Sequence, residues 1–374
     1  MKRVDSLKVA YGGKRVGTLT LDPDNRLCAF EYAPEWLADG FSISPLELPL
    51  KSGVFLAKEE PFRGNFGIFE DSMPDGYGRY LLQKALARIG VDSRELDTLQ
   101  RLSIIGSRGM GALTYSPETE VEQGEESRDF DLLQRKALEV LREQQDTDAG
   151  LLLYNSGNSG GARPKAVFAD ESGHWLVKFR HIYDPKDIGE TEYAYNEAAR
   201  KGGIAVPDFR LLEGKYFATR RFDIDGNGER RHIATAGALL GVSLRQPVLD
   251  YDNLLALTGY LTQSEEDVEQ MYRRMIFNYL TDNKDDHAKN FSFIVEGDAR
   301  RGWRWRLAPA YDLTHSPEGY NGQHATSVNG SGNPLLTDFI ATGERIMMRR
   351  ERCLGIIREV ESACGPIAKR PISG

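Results

Sequence analysis

The chain has 374 residues, of which 40% are hydrophobic and 28% are charged, and its formal net charge is −8. This composition is typical of a globular protein with a large core, and the length predicts two or three structural units. The negative charge disfavours binding of nucleic acid through a broad electrostatic surface, although it leaves room for a local basic patch.

The cysteines and the apolar stretches predict a protein of a reducing compartment. Cys28, Cys353 and Cys364 are scattered and lack metal-ligand spacing, which disfavours a structural zinc site. No apolar signal core follows the first three residues, and no stretch approaches the length of a membrane span. We therefore expect a cytoplasmic protein that does not bind membranes.

The first part of the chain, up to about residue 148, predicts a small β-rich domain that also contains helices. Its antiparallel strands are expected at 7–11, 16–21 and 26–32. Its helices are expected from Arg79 onward, at 93–102 and at 130–145. The glycine-rich segment 106–113 is interpreted as a structural turn, because no Lys-Ser/Thr pair follows it.

A second glycine-rich segment, around Gly160 and Gly161, lies beside a predicted hairpin with strands at 166–169 and 175–179. Glycine tolerates positive φ and lets backbone N–H groups approach a phosphate closely. The segment is not a Walker A loop, because no GK[ST] sequence opens a helix after it.

Lys178 lies in the second strand of this hairpin, between two apolar residues. Strand alternation places it on the face opposite to those neighbours, which fits either plain solvent exposure or the roof of a nucleotide cleft. Glu192, early in a helix predicted at 191–200, fits an ion pair with Lys178 of the kind found in protein kinases. It fits equally well an acid that the helix dipole favours in the first turn.

The chain from residue 223 onward predicts a mainly helical part, preceded by a hairpin with strands at 206–212 and 216–222. Helices are expected at 252–260, 267–280 and 344–363. The second of these helices carries a core stripe formed by Met271, Met275, Ile276, Tyr279 and Leu280. It leads directly into the segment YLTDNKDDHAKN.

Two carboxylates and one amide are expected to converge after this helix. Asp285 and Asn290 precede a predicted strand at 290–295, and Asp312 follows its partner strand at 303–307. Antiparallel pairing would bring both ends together, so that an Asp and an Asn hold a divalent cation while the second Asp faces a hydroxyl. Such hard oxygen ligands suit magnesium bound with a phosphate-bearing substrate. A solvated turn with an Asx cap also explains the spacing by itself.

These parts follow one another along the chain in the order typical of a bilobal phosphotransferase. The segments GNSGGARPKAVF, WLVKF, RRFD, DDHAKNFSF and LAPAYDL resemble the HipA family of serine/threonine kinases, which are toxins of bacterial toxin–antitoxin pairs. The segments YGGKRVGTLTLDPDNRLCAFEY, FEDSMPDGYGR and GSRGMGALTY resemble the first domain of that family.

The resemblance implies an α+β fold in which a small N-terminal β-rich domain precedes a bilobal protein-kinase-like core with a helical C-terminal lobe. The implied boundaries are 1–148 for the N-terminal domain, 149–222 for the part like a kinase N-lobe, and 223–374 for the helical lobe.

The resemblance also implies roles for individual residues in ATP- and Mg²⁺-dependent catalysis. Asp285 matches the catalytic aspartate, Asn290 and Asp312 match the magnesium ligands, and Lys178 matches the lysine on the nucleotide phosphates. The remaining nucleotide-binding positions are Gly160, Gly161, Ala162, Arg163, Pro164 and Lys165 of the phosphate loop, Arg220, Arg221 and Phe222 of the hinge that meets adenine, and His287 and Lys289 of the catalytic loop.

Two departures from the family pattern concern regulation and metal binding. Family toxins phosphorylate themselves on a serine just before the glycine-rich segment; Ser156 and Ser159 are candidates here, while Asn158 occupies the aligned position. Asp286 stands where a member of the family has glycine, and it is expected either to bind metal or to face water.

The leading hypothesis is a HipA-like protein kinase. The resemblance implies a HipB-like helix-turn-helix antitoxin as partner, DNA contact only through that antitoxin, and a protein target such as an aminoacyl-tRNA synthetase. One alternative is a degenerate kinase fold that serves as a binding or regulatory module. Another is a metal-dependent phosphohydrolase built on Asp285, Asp286, His287 and Asp312, which leaves Lys178 without a role.

Overall fold

The structure is a computed structural model that describes residues 2–24, 26–121, 126–143, 148–157, 160–244 and 248–372. The chain divides into two compact units. The first comprises Met1–Gly189, Leu211–Ala234 and Asp298–Trp303, and the second comprises Glu190–Arg210, Thr235–Gly297 and Arg304–Gly374.

The first unit begins with a five-stranded antiparallel sheet of order β4-β3-β2-β1-β5. Its strands are β1 Ser6–Tyr11, β2 Lys14–Leu21, β3 Cys28–Tyr32, β4 Val54–Leu56 and β5 Leu113–Ser116. Its helices are α1 Pro34–Asp39, α2 Gly67–Glu70, α3 Gly76–Arg88 and α4 Thr98–Ile105. The predicted meander of the first three strands is confirmed, and the late strand β5 completes the sheet beside β1.

A four-stranded sheet of order β6-β7-β9-β8 follows. Its strands are β6 Lys165–Asp170, β7 Gly173–Lys178, β8 Phe209–Leu212 and β9 Tyr216–Arg220, preceded by helices α5 Phe130–Leu141 and α6 Ala149–Ser156. The helices and the sheet share one apolar core, which includes Phe130, Leu133, Ala137, Val140, Leu152, Ala166, Phe168, Trp175 and Val177. Both predicted hairpins of this region are therefore present, with slightly different ends.

The remaining elements are mostly helical. They are α7 Ile188–Lys201, β10 Ile233–Thr235, α8 Ala236–Leu240, β11 Leu249–Asp250, α9 Tyr251–Thr262, α10 Glu265–Leu280, β12 Ser292–Asp298, β13 Gly302–Leu307, β14 Thr326–Ser327, α11 Leu336–Arg345 and α12 Arg350–Cys364. Short 3₁₀ turns lie at Ser93–Glu95, Ala288–Asn290 and Gly365–Ile367. Together with the two antiparallel sheets, these elements confirm the predicted α+β class.

Helix α10 forms the centre of the second unit. All five residues of its predicted stripe are buried, as expected for a helix whose apolar positions recur every three or four residues. The helix starts at Ser264, whose hydroxyl accepts the Asp267 N–H at 3.2 Å. It contacts α9 and α12 and delivers the chain to the segment that follows Leu280.

Two predicted helices are wrong in extent. The helix expected at 93–102 is a 3₁₀ turn followed by α4, because Asp97 starts a new helix through a capping box with Gln100. The terminal helix expected at 344–363 is two helices, since the chain turns at Met347, where φ is +65°.

The three cysteines are buried and unpaired. Within the described ranges, no helix combines the length and the apolar character that a bilayer crossing requires.

Two helical glycines of the second unit provide a matched test of packing. We expect Gly343→Ala to lower the free energy of unfolding by about 1–3 kcal/mol, because the added methyl would overlap the Cys353 sulfur and lie 3.1 Å from the Tyr272 ring. Gly355→Ala, which meets only the end of the Arg352 side chain at 3.9 Å, should raise it by roughly 0.5–1 kcal/mol. Urea unfolding measures both, and equal effects would contradict the close contact of α11 with α12.

Candidate active site

The segment after α10 forms a closed turn that exposes one carboxylate. The Asn290 N–H donates to the His287 carbonyl at 2.8 Å, and the Asn290 side-chain N–H donates to the Asp285 carbonyl at 2.7 Å. The Asp285 side chain is 62% exposed, and its carboxylate lies 3.9 Å from Nε2 of His287. Because the amide nitrogen of Asn290 is engaged by the turn, its Oδ1 points away from that bond and can serve as a ligand for a cation.

The hairpin of β12 and β13 brings the second acidic segment to this turn. Ala308, after β13, donates its N–H to the Ser292 carbonyl at 2.9 Å, and the Tyr311 hydroxyl donates to the Lys289 carbonyl at 2.6 Å. The residue after Tyr311 is Asp312, so the two ends of the hairpin meet as the sequence predicted.

Asp312 itself has a left-handed backbone, with φ +54°. This conformation is uncommon outside glycine and is tolerated best by Asp and Asn. Asn283 donates a hydrogen bond to the Asp312 carbonyl at 3.4 Å, and the Ser316 N–H bonds the Asp282 carbonyl at 3.1 Å. The chain after Asp312 therefore runs along the beginning of the Asp285 turn and is held in place by it.

Asp286 is buried, unlike its neighbour Asp285. Its Oδ2 accepts the Tyr251 hydroxyl at 2.9 Å and lies 3.1 Å from Nδ1 of His324. Its Oδ1 accepts the backbone N–H groups of Ala325 at 2.9 Å and Thr326 at 3.3 Å. The expectation that Asp286 binds metal or faces water is therefore wrong, because four partners from the protein occupy its oxygens.

The partners of Asp286 extend the polar network toward Asp312. Asn278 donates to the Tyr251 hydroxyl oxygen at 2.9 Å, and Asn283 donates to the Asn278 side-chain oxygen at 2.9 Å. Burial and then the Asp286 charge raise the pKa of Tyr251 well above its usual value, so the phenol keeps its proton and donates it. No pattern in the sequence pointed to Tyr251, although Asn278 on the buried face of α10 is a signal that a polar network crosses this core.

The polar segment after Asp312 is anchored at one point. Lys284 is buried, and its ammonium group donates to the carbonyls of Pro317 at 3.0 Å and Gly322 at 3.1 Å. Gly319 lies against the Lys284 side chain and has φ +43°, so this position accommodates no Cβ. The base of this segment is therefore fixed to the Asp285 turn through Lys284.

The glycine-rich loop lies in the first unit. Gly157 ends α6 with φ +60°, and Gly161 has φ +94°. The Lys165 ammonium group donates to the Gly160 carbonyl, and the Phe179 N–H donates to the Pro164 carbonyl at 2.8 Å. These contacts attach the loop to both strands of the following hairpin.

The Arg163 side chain contacts a segment outside the glycine-rich loop. Its guanidinium makes a two-point contact with Asp184, at 2.9 and 3.2 Å, which also accepts the His181 N–H. Within this unit the Arg163 side chain therefore braces the segment after β7, while the backbone of residue 163 stays in the loop.

Lys165 and Lys178 face each other across β6 and β7. They are direct partners in the antiparallel register, so their side chains share one face of the sheet. The Phe217 ring lies on that face, 5.9 Å from the Lys178 ammonium group, whereas Ala166 and Val177 point into the core. The predicted orientation of Lys178 is confirmed, and two cations on one face beside a glycine-rich loop suit a phosphate group.

The RRFD segment follows β9. The Arg221 N–H donates to the His174 carbonyl at 2.8 Å, and its guanidinium binds the buried Asp223 carboxylate at 2.5 and 2.9 Å. Burial alone would raise the pKa of Asp223, but the Arg221 hydrogen bonds and charge outweigh burial and lower it. Asp223 also accepts the Gly111 N–H at 3.0 Å, in keeping with a structural role for the turn at 106–113.

The predicted site residues are thus divided between the units. The first unit holds Gly160, Gly161, Ala162, Arg163, Pro164, Lys165, Lys178, Arg220, Arg221 and Phe222, and the second holds Asp285, His287, Lys289, Asn290 and Asp312. Glu192 is buried on α7 in the second unit, and its ion pair with Lys178 stays a prediction.

The structure describes one of the two candidate autophosphorylation sites. Ser156 is buried at the end of α6, where its hydroxyl donates to the Leu153 carbonyl at 2.9 Å. Ser159 and the aligned Asn158 lie outside the described residues.

Among the described residues, no three His, Cys, Asp or Glu side chains are grouped so that they could hold a metal ion. Asn290 and Asp312 carry one amide oxygen and one carboxylate group. Such a pair fits Mg²⁺ when substrate phosphates and water complete the coordination, which is the usual manner of Mg²⁺ binding at phosphoryl-transfer sites.

Comparison with known families and structures gives consistent matches. The model of the HipA-like C-terminal domain matches residues 157–366, and that of the HipA N-terminal domain matches residues 7–116. The putative kinase Y4dM of Sinorhizobium fredii is 29% identical over 88% of this chain and 82% of its own. The serine/threonine-protein kinase toxin HipA of Shewanella oneidensis is 24% identical over 91% of this chain and 87% of its own.

A solved structure extends the similarity to the fold. It is the complex of HipA, HipB and operator DNA from Shewanella oneidensis MR-1, and it matches with a TM-score of 0.68 and 19% identity over 96% of this chain and 90% of the other. This match confirms the fold that the resemblance implied.

The buried Asp286 can be tested through stability. We expect Asp286→Ala to lower the free energy of unfolding by about 3–5 kcal/mol, because it leaves a phenol, an imidazole and two backbone N–H groups without their acceptor. Asp285→Asn, at the exposed neighbouring position, should change it by less than about 0.5 kcal/mol. Urea unfolding of both variants is the measurement, and similar losses would contradict the different environments of the two carboxylates.

Proposed function

Because this chain belongs to the HipA family, we propose that it is an ATP- and Mg²⁺-dependent protein serine/threonine kinase that acts as the toxin of a toxin–antitoxin pair. The observation that carries this proposal is the closed turn in which Asn290 binds the Asp285 carbonyl and leaves the Asp285 carboxylate exposed.

Asp285 is proposed as the catalytic base. Phosphoryl transfer requires the protein to position the reactants and to neutralise charge. The protein itself does little covalent chemistry. An exposed carboxylate on a turn braced by hydrogen bonds can orient an incoming serine or threonine hydroxyl and accept its proton. His287, whose imidazole lies 3.9 Å from that carboxylate, and Lys289 are proposed to contact the nucleotide beside it.

Asn290 and Asp312 are proposed to hold the magnesium ion. The bond from Asn290 to the Asp285 carbonyl fixes which end of the amide is available, and the contacts of Tyr311 and Asn283 fix the backbone on both sides of Asp312. When bound, Mg²⁺ supplies charge neutralisation on the phosphate oxygens. In this assignment one ligand precedes β12 and the other follows β13, which are the two ends that antiparallel pairing brings together.

The first unit is proposed to bind the nucleotide. The loop Gly160–Lys165 would approach the phosphates with its backbone, and Lys165 and Lys178 would face them from the sheet. The backbone at Arg220, Arg221 and Phe222 would meet the adenine edge. The alternation that places both lysines on the face away from the core supports this assignment.

The proposed partners follow from the family. A HipB-like helix-turn-helix antitoxin is proposed as the binding partner, since the similar solved structure is a complex of HipA with HipB and operator DNA. DNA contact by this chain is proposed only through that antitoxin. A cytoplasmic protein such as an aminoacyl-tRNA synthetase is proposed as the phosphorylated target.

The phosphohydrolase alternative loses support because Asp286 is saturated by its four protein partners. A non-catalytic binding module is disfavoured because Lys178, Asp285, Asn290 and Asp312 are all present.

The reaction class can be tested with γ-labelled ATP and Mg²⁺. We expect the wild type to transfer label to protein, and Asp285→Asn to reduce transfer by about 10²- to 10⁴-fold through loss of the base. The control Glu266→Gln changes an exposed acid of α10 and should transfer normally. Free phosphate without labelled protein would favour a hydrolase, and nucleotide binding without either product would favour a binding module.

The proposed magnesium ligands and the proposed phosphate-binding lysine predict separable defects. Asn290→Ala should raise the Mg²⁺ concentration for half-maximal rate by roughly tenfold or more, because one of two protein ligands is lost. Lys178→Met should instead raise the KM for ATP at saturating Mg²⁺, because it removes a phosphate contact. Steady-state rates over both titrations are the measurement, and the opposite pattern would contradict the assignment of these roles.

A further inference from the structure

The start of helix α3 has a feature that its local sequence does not explain. Asp75 occupies the N-cap position of α3, with extended backbone at φ −115° and ψ 177°. An Asp at this position ordinarily accepts a hydrogen bond from the N–H two or three residues later. Asp75 makes no such capping bond.

Its carboxylate binds the glycine-rich loop instead. Oδ1 of Asp75 accepts the N–H of Gly161, and the N–H of Tyr77 donates to the Gly161 carbonyl at 3.0 Å. Both polar backbone groups of Gly161 are therefore held by one turn, residues 75–77, although the turn and the loop are far apart in sequence.

The two segments approach so closely that glycine is needed at the contact. A Cβ on Gly76, where φ is +43°, would lie 2.6 Å from the Gly161 carbonyl oxygen and 2.8 Å from Cα of Ala162. A Cβ on Gly160 would lie 3.1 Å from Oδ1 of Asp75. The sequence PDGYG, which the catalytic proposal leaves without a role, is thus shaped to receive the loop.

A glycine-rich loop has a large conformational entropy to lose when it closes on a phosphate. Contacts that order the loop beforehand reduce the cost of ligand binding. Asp75 and Tyr77 fix Gly161 from one side, and the Lys165 ammonium group fixes the Gly160 carbonyl from the other.

We propose that Asp75 is a positioning residue for the nucleotide, which acts by holding Gly161 of the phosphate loop through the turn 75–77. The inference rests on the proposed kinase function and extends it, since it makes nucleotide affinity depend on a segment of the family's N-terminal domain. The carboxylate acts on the loop and does not contact substrate in this assignment.

The test compares Asp75→Ala with Asp75→Asn. The alanine variant should raise the KM for ATP roughly tenfold or more while kcat at saturating ATP changes little, because the loop loses a charge-assisted hydrogen bond that preceded binding. Asparagine retains an acceptor oxygen, so it should restore the KM to within about threefold of the wild type. Gly76→Ala, which pushes the loop away, should act like Asp75→Ala.

Asp129→Ala is the matched control. Asp129 is the N-cap of α5 and does cap its helix, by accepting the Leu132 N–H at 2.8 Å. Its loss should lower the melting temperature but leave the KM for ATP unchanged. Asp75→Ala should raise the KM for ATP even if its melting temperature falls by as much, because the bond it removes is the one to Gly161 and not a capping bond.

Amide hydrogen exchange without nucleotide provides a readout that does not depend on catalysis. We expect exchange in the peptide 160–165 to rise in Asp75→Ala and not in Asp129→Ala. Unchanged exchange together with an unchanged KM would overturn the proposal, and so would tighter ATP binding by Asp75→Ala, which would mean that the carboxylate competes with phosphate for Gly161. Faster exchange in Asp75→Ala, together with no phosphotransfer by the wild type, would overturn the kinase assignment and leave the contact of Asp75 with the loop in place.

Discussion

The burial of the Asp286 carboxylate is the constraint from which the geometry of the second unit follows. A charge removed from water is tolerated only when hydrogen bonds satisfy its oxygens, and here donors from α9 and from residues 324–326 converge on it. The segment between α10 and β12 is therefore fixed at one internal point. The preceding residue, Asp285, projects outward from the same short turn.

The same polar network reaches the segment that contains Asp312. Tyr251, Asn278 and Asn283 connect Asp286 to the carbonyl of Asp312 by successive hydrogen bonds, while Tyr311 connects the end of β13 to the end of the Asp285 turn. Each of these three side chains makes hydrogen bonds to two partners, so displacement of one is opposed by its neighbours. A left-handed residue at position 312 persists because the surrounding contacts determine its backbone.

Local patterns in the sequence predicted the parts of the structure that depend on local physics. The apolar stripe of α10, the hairpin of β12 and β13 and the outward face of Lys178 follow from periodicities of about 3.6 and 2 residues. Position 286 could not be assigned in this way, because burial of its carboxylate depends on Tyr251 and His324, which are distant in sequence. The pairing of β5 with β1 and the contact of Asp75 with Gly161 likewise arise only from tertiary packing. The missed break before α4 had a local signal, since Asp97 and Gln100 have capping-box spacing.

The adjacency of an exposed acid and a buried acid has an evolutionary consequence. If Asp285 is the proposed base, a substitution there removes the chemistry and keeps the backbone bond to Asn290, whereas a substitution at Asp286 removes an internal anchor of the unit. Selection against the proposed toxic activity could therefore produce, in few steps, descendants that fold but do not catalyse. Such descendants would keep their surfaces, and they would be free to acquire duties that need recognition without turnover.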